Sequence, residues 1–214
     1  MALLFSLTRG IATAVREARW DNRMVIRKSS WELIDRTMGI IGLGGTGRDL
    51  ALRASAFGTR IIAVDPEDVD VPGCVESCWK TDRLYDLLAE SDIVAVCAPL
   101  TPDTEGLLDD RAFSAMREHA LLINVTRGRI VDEAALLAAL KENRIGGVGL
   151  DVAPQEPMPE THELWSLPNV VITPHTAGGS PNRDDRLLDL ITDNIERFRR
   201  GDPLLSEIDK RKGY

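Results

Sequence analysis

From about Asp35 onward the chain alternates short apolar runs rich in isoleucine and valine with longer stretches whose apolar residues recur every three or four positions. The first kind reads as buried strands and the second as helices packed over them, the pattern of a parallel sheet wrapped on both faces. Six strands are predicted: Met38–Ile41, Arg60–Val64, Asp92–Cys97, Ala120–Val125, Gly147–Asp151 and Val170–Thr173. Between them Thr46–Phe57, Asp82–Glu90, Asp110–Met116 and Glu133–Glu142 predict helices, and Asp184–Arg199 predicts an amphipathic closing helix. Pro66–Gly73 and the proline-rich Ala153–Glu160 predict loops. The fold class is therefore α/β, a doubly wound parallel sheet flanked by helices.

Ahead of the sheet, Leu3, Leu4, Leu7, Ile11 and Val15 recur at helical spacing, which predicts one amphipathic opening helix. Its apolar face needs a cover, and a second chain is the expected one. No basic residue precedes the apolar run, and Ala2–Leu7 is too short to cross a bilayer, which takes about 18 or more apolar residues. A membrane partner is not expected. Against 26 basic side chains stand 34 acidic ones, a net charge of -8, with the arginines scattered; this leaves no footprint for a nucleic-acid backbone. Three cysteines, Cys74, Cys78 and Cys97, form an odd set that argues against a disulfide framework and for a reducing compartment, the cytoplasm. Cys74 and Cys78 have no second ligand pair at metal-binding spacing, so no metal is expected.

Candidate chemistry begins at Gly42-Leu43-Gly44-Gly45-Thr46-Gly47, a GxGxxG run between an apolar strand and a helix. Gly42 permits the sharp turn, Gly44 clears room for a pyrophosphate and Gly47 lets the helix pack closely, with backbone N–H groups aimed at the phosphates. Asp65 follows 18 residues after Gly47 at the end of the second strand, where an acid accepts hydrogen bonds from ribose hydroxyls. That acid is expected to select NAD: a 2′-phosphate would meet Asp65, Glu67 and Asp68 with no arginine in the stretch.

Ligands of an open parallel sheet sit beyond the carboxyl ends of its strands. Pro99 and Thr101 follow the third predicted strand, Thr126 and Arg127 the fourth, Asp151 ends the fifth and His175 follows the sixth, with Glu156 in the loop after Asp151. Such a set suits carbonyl reduction by hydride from a nicotinamide. An imidazole titrates near neutrality and can protonate the carbonyl oxygen, a neighbouring carboxylate favours its charged form, and a guanidinium holds a carboxylate. His119 and His162 follow no strand end and are assigned to structure.

The segments GIIGLGGTGRDLA, PLTPDTEGLL, LLINVTRGRIVDEAAL, GGVGLDVAPQEP and NVVITPHTAGGS together resemble the D-isomer-specific 2-hydroxyacid dehydrogenases. The resemblance implies that Arg127 binds substrate, Glu156 pairs with the histidine and His175 is the acid/base. It implies an NAD site lined by Gly42, Gly44, Thr46, Gly47, Asp65, Pro99, Thr104, Val125, Thr126, Arg127, Asp151, His175 and Gly178, with Asp151 near the nicotinamide amide. On this reading residues 1–36 form a helix and arm for interdomain or dimer contact, 37–182 a Rossmann-type NAD-binding domain, and 183–214 a closing helix and tail. The implied reaction is hydride transfer between NADH and a small 2-oxo acid such as glyoxylate, hydroxypyruvate or a phosphoglycerate-like acid, in a homodimer.

The resembling family begins with a small α/β domain whose amides help clasp the substrate carboxylate. This chain starts at the helix that follows such a domain, so a truncated enzyme with a crevice open to water, or one completed by another polypeptide, is expected. The alternative reading is an NAD-binding interaction or regulatory module, since the resemblance extends to corepressors. A methyltransferase would also use GxGxxG, but leaves Arg127, Glu156 and His175 without a role.

Overall fold

The computed structural model describes residues 1–212, so Gly213 and Tyr214 of the predicted tail lie outside the described residues. Internal contacts divide the chain into two units, Met1–Pro174 and a second that begins at His175.

The first unit is built on a parallel sheet of seven strands: β1 (Thr37–Ile41), β2 (Arg60–Val64), β3 (Val75–Trp79), β4 (Ile93–Val96), β5 (Leu121–Asn124), β6 (Gly147–Leu150) and β7 (Val170–Ile172). Their spatial order is β3-β2-β1-β4-β5-β6-β7. The chain winds outward from β1 through β2 and β3, then returns to β4 on the other side of β1, so Gly39 lies opposite Ile62 on one flank and Val94 on the other. That reversal opens a crevice at the carboxyl ends of β1 and β4.

Central strands are buried at every position and largely apolar because both faces of the sheet are covered. One face carries α5 (Leu84–Glu90), α6 (Asp110–Ala115) and α7 (Glu133–Lys141), with Leu87, Leu88, Phe113, Leu136 and Leu140 in its core. The other carries α1 (Ala2–Thr8) and α4 (Gly45–Ser55), where Leu3, Leu4, Ala51 and Ala54 meet Met38, Ile40 and Ile61. Asp109 and Asp132 cap α6 and α7 by accepting from the amides of Ala112 at 2.8 Å and Ala135 at 2.9 Å, each cap contributing about 1 kcal/mol.

Two expectations change. The sheet has a seventh strand, β3, at its edge; VESCW alternates with polar residues and only Val75 is buried, so it lacks the continuous apolar run that marks the inner strands. The opening helix is broken at Gly10, whose φ of 62° is left-handed. The chain continues as α2 (Ile11–Glu17) and an unanticipated α3 (Arg23–Ser29). The apolar stripe is therefore split: Leu3 and Leu4 are buried on the sheet of this same chain, while Ile11 and Val15 are exposed.

At the amino ends of the strands, opposite the crevice, the buried Asp92 carboxylate accepts from the Thr37 amide at 2.8 Å and from Arg117 at 2.9 Å, and lies 2.7 Å from His119 Nε2. Burial alone would push this carboxyl up, but the bonds to His119, Thr37 and Arg117 together hold it below the ordinary carboxylate range. His162 likewise bonds Glu133 at 2.9 Å and caps Leu164.

In the second unit α8 (Arg183–Arg200) ends at Gly201, whose φ of 77° closes the helix in left-handed fashion. The Asn194 side chain donates to the Leu205 carbonyl at 3.0 Å and accepts its amide at 2.8 Å, folding the tail onto the helix.

Candidate cofactor and active site

The carboxyl end of β1 runs into the glycine loop. Gly42 has φ of 91°, and a Cβ there would stand 2.7 Å from the backbone of Ala98, so a side chain would separate the exits of β1 and β4. A Cβ on Gly47 would lie 2.2 Å from the Gly42 carbonyl oxygen, which is how closely the start of α4 packs on the loop. Gly44 and Gly45 are exposed with open space beside them, and α4 starts without a side-chain cap. Uncapped amides above a glycine floor fit a pyrophosphate.

Asp65 follows β2 and is buried. One carboxylate oxygen accepts from the Leu43 amide at 2.7 Å, the other from the Glu67 amide at 2.9 Å. The acid thereby ties its own turn to the glycine loop. Beyond it, Lys80 donates to the Pro66 carbonyl at 3.1 Å and to Asp68 at 2.7 Å. Each exposed partner favours the other's charged form: the hydrogen bond raises the Lys80 amine and lowers the Asp68 carboxyl. Lys80 follows β3, and without that strand nothing in the sequence directs it to this turn.

After β4, burial pushes the Cys97 thiol up to about 12, which keeps it protonated and unreactive at neutral pH. Pro99 is exposed, and its carbonyl accepts from the Thr104 hydroxyl at 2.7 Å; the same hydroxyl accepts the Thr101 amide at 2.8 Å. Thr104 thus folds its own loop. That loop is fastened to the next by the Gly106 amide, which donates to the Arg129 carbonyl at 2.9 Å, and by the Arg129–Glu105 ion pair.

Beyond β5 come Val125 and Thr126, half-buried, and Arg127, exposed. The Arg127 guanidinium donates to the Thr126 carbonyl at 2.7 Å. Gly128 then presses on the loop after β6: a Cβ there would stand 2.0 Å from the Ala153 carbonyl carbon and 2.4 Å from Pro154 N. In that second loop Glu156 accepts the Ala153 amide at 3.0 Å. Asp151, buried at the end of β6, accepts from the Thr173 hydroxyl.

The first unit therefore aligns Gly42, Gly44, Thr46, Gly47, Asp65, Pro99, Thr104, Val125, Thr126, Arg127 and Asp151 along one edge, with Glu156 in the adjoining loop. His175 and Gly178 belong to the second unit, both exposed, and His175 has a left-handed φ of 54°. Sequence reasoning passed over Lys80, Asn124, Gly128 and Thr173. Asn124 ends β5 and Thr173 directly follows β7, so both were open to the same strand-end rule that singled out Arg127.

Residues 1–177 match the sequence profile of the D-isomer specific 2-hydroxyacid dehydrogenase NAD binding domain. The chain belongs to this dehydrogenase family. It is 38% identical over 213 residues to a glycerate dehydrogenase of Methylorubrum extorquens, covering 95% of this chain and 64% of that protein. To a glyoxylate reductase of Korarchaeum cryptofilum it is 37% identical, covering 94% of this chain and 61% of the relative. The chain thus spans about three-fifths of the length of these relatives. Among solved structures, an NADPH-dependent glyoxylate/hydroxypyruvate reductase from Sinorhizobium meliloti, in complex with NADP and sulfate, superposes with a TM-score of 0.86 at 31% identity, covering 100% of this chain and 67% of that one. The parallel sheet and glycine loop are those of the family's NAD(P)-binding domain. Family membership removes the methyltransferase reading, and relatives named as dehydrogenases and reductases do not favour a purely regulatory module.

Proposed function

We propose that this chain serves an NAD-dependent oxidoreductase that interconverts a small 2-oxo acid and its 2-hydroxy acid, of the glyoxylate, hydroxypyruvate or phosphoglycerate type. The observation that carries the reading is the junction of the Arg127 and Glu156 loops through Gly128, beside a glycine loop suited to a dinucleotide.

The uncapped start of α4 and Gly44 would receive the pyrophosphate, with Thr46 beside it, and Asp65 the adenosine ribose. Pro99, Thr104, Val125, Thr126 and Gly178 would line the remaining length, with Asp151 near the nicotinamide amide. Bound there, the nicotinamide supplies or accepts the hydride. Arg127 grips the acid's carboxylate and its carbonyl oxygen with the fixed fork of donors that a guanidinium offers. His175 would give the proton to that oxygen during reduction and take it back during oxidation, with Glu156 as the partner that the family resemblance implies.

Asp65 supports NAD over NADP, because a 2′-phosphate would approach a carboxylate while Lys80, which bonds the same turn, is held by Asp68. In this reading residues 1–36 form the contact arm, 37–182 the nucleotide-binding domain and 183–214 the closing helix and tail. A homodimer through the arm is supported by exposed Val15, Trp20 and Val25, and by a cavity of about 780 Å³ among Arg9, Trp20, Arg23, Arg27, Trp31 and Arg36. Three free thiols support a cytoplasmic setting.

Titration of NADH and NADPH by fluorescence, followed by glyoxylate, tests the reading. It predicts preference for NADH and glyoxylate-dependent oxidation that Arg127→Ala removes. Equal affinity for the two nucleotides would refute the NAD assignment, and oxidation that survives Arg127→Ala would refute the substrate role.

A further inference from the structure

Asn124 closes β5 and is fully buried. Its Oδ1 accepts from the Thr126 amide at 3.1 Å and lies 3.3 Å from the Thr126 hydroxyl, while Nδ2 donates to the Arg127 carbonyl at 2.9 Å. The orientation of the carboxamide is dictated by its partners, since a backbone N–H can only donate and a carbonyl can only accept. None of these bonds is needed to build the sheet. The backbone of Asn124 is already in register with Val96 on one side and Leu150 on the other. The side chain is spent instead on the turn from Val125 to Arg127, whose guanidinium bonds the Thr126 carbonyl of that same turn.

We propose that Asn124 is a positioning residue for Arg127: it wraps the turn around one carboxamide, so that the guanidinium leaves the sheet from a fixed backbone. The functional consequence rests on the substrate-binding role proposed above for Arg127. The position needs a donor and an acceptor at once in a planar fork. Aspartate has the same shape but sets an oxygen against the Arg127 carbonyl oxygen, and leucine offers neither group. Gly128 completes the arrangement by seating the far end of the turn on Ala153.

The test is amide exchange and backbone relaxation by NMR on the 15N-labelled chain and its Asn124→Leu variant, with oxamate binding to the NADH complex as a second readout. The expected result is at least about tenfold faster exchange at the Thr126 amide and a lowered order parameter at Arg127, with Ile123 and Val148 unchanged. Oxamate is expected to bind about tenfold more weakly, the size of one lost hydrogen bond. A Thr126 amide equally protected in the variant, with Arg127 equally ordered, overturns the proposal. If the variant does not fold, the parent decides: slow exchange of the Thr126 amide and the Asn124 carboxamide supports the proposal, and exchange at exposed-amide rates overturns it. If the parent binds no oxamate but the turn still loosens in the variant, the positioning role of Asn124 stands and the substrate role of Arg127 falls.

Discussion

The Asp65 carboxylate accepts the backbone N–H of Leu43 at 2.7 Å, so the acid that closes β2 also anchors the glycine loop that follows β1. Asp65→Ala removes this anchor together with the ribose acceptor. A charge-assisted hydrogen bond in a buried setting contributes about 1.5–3 kcal/mol, so NADH affinity is expected to fall by about 10- to 100-fold. NADPH affinity is expected to fall less, because the repulsion is gone and Lys80 remains nearby. Parallel fluorescence titrations of the two nucleotides check this, and an unchanged NADH/NADPH ratio would contradict it.

Gly128 sets the spacing between the Arg127 and Glu156 loops. A methyl group there meets the backbone of Ala153, not a flexible side-chain end, so the loops must part. Gly128→Ala is expected to cost about 1–3 kcal/mol, lowering Tm by several degrees, and to raise the KM for glyoxylate more than that for NADH. Calorimetry and steady-state kinetics check the two parts separately.

Asp92 is held below the ordinary carboxylate range in the fold. The unfolded chain therefore takes up its proton first as pH falls. The stability this group contributes is present above about pH 4, its ordinary unfolded value, and is lost as pH falls through its lower folded value. Asp92→Asn is expected to cost about 1–3 kcal/mol at pH 7, and urea denaturation at pH 7 and pH 3 is expected to show the gap from the parent narrowing at the lower pH.

The arm is expected to carry the subunit contact. Val15 and Val25 are 75% and 70% exposed, whereas Leu4 is 1% exposed against the sheet. Val15→Glu with Val25→Glu is expected to turn a dimer into a monomer in sedimentation velocity without lowering Tm by more than a few degrees. A sedimentation coefficient unchanged by the double substitution would contradict the contact.

Inner strands and their helices were legible because burial on both faces leaves unbroken apolar runs, and the glycine loop because its turn and close packing tolerate no side chain at Gly42 and Gly47. Strand β3 was not legible: an edge strand is half-solvated, and Glu76 and Ser77 are free to break its pattern. Missing it hid Lys80. The break at Gly10 was hidden because Ile11 and Val15 continue the spacing of Leu3 and Leu7 in sequence, although a left-handed residue divides them in space. At the site, charge and position singled out Arg127 and Asp65 as candidates. Asn124 and Gly128 were not, since a buried carboxamide and a backbone-to-backbone contact have no charge or period to announce them.

In the hydride transfer to a 2-oxo acid proposed for this chain His175 supplies the proton, and single-turnover NADH oxidation by glyoxylate and hydroxypyruvate measures that step. A burst of oxidation is expected in the parent chain that falls by at least about 100-fold in His175→Ala, with NADH binding retained. Oxidation unaffected by the substitution, or none in the parent despite bound NADH, would contradict it.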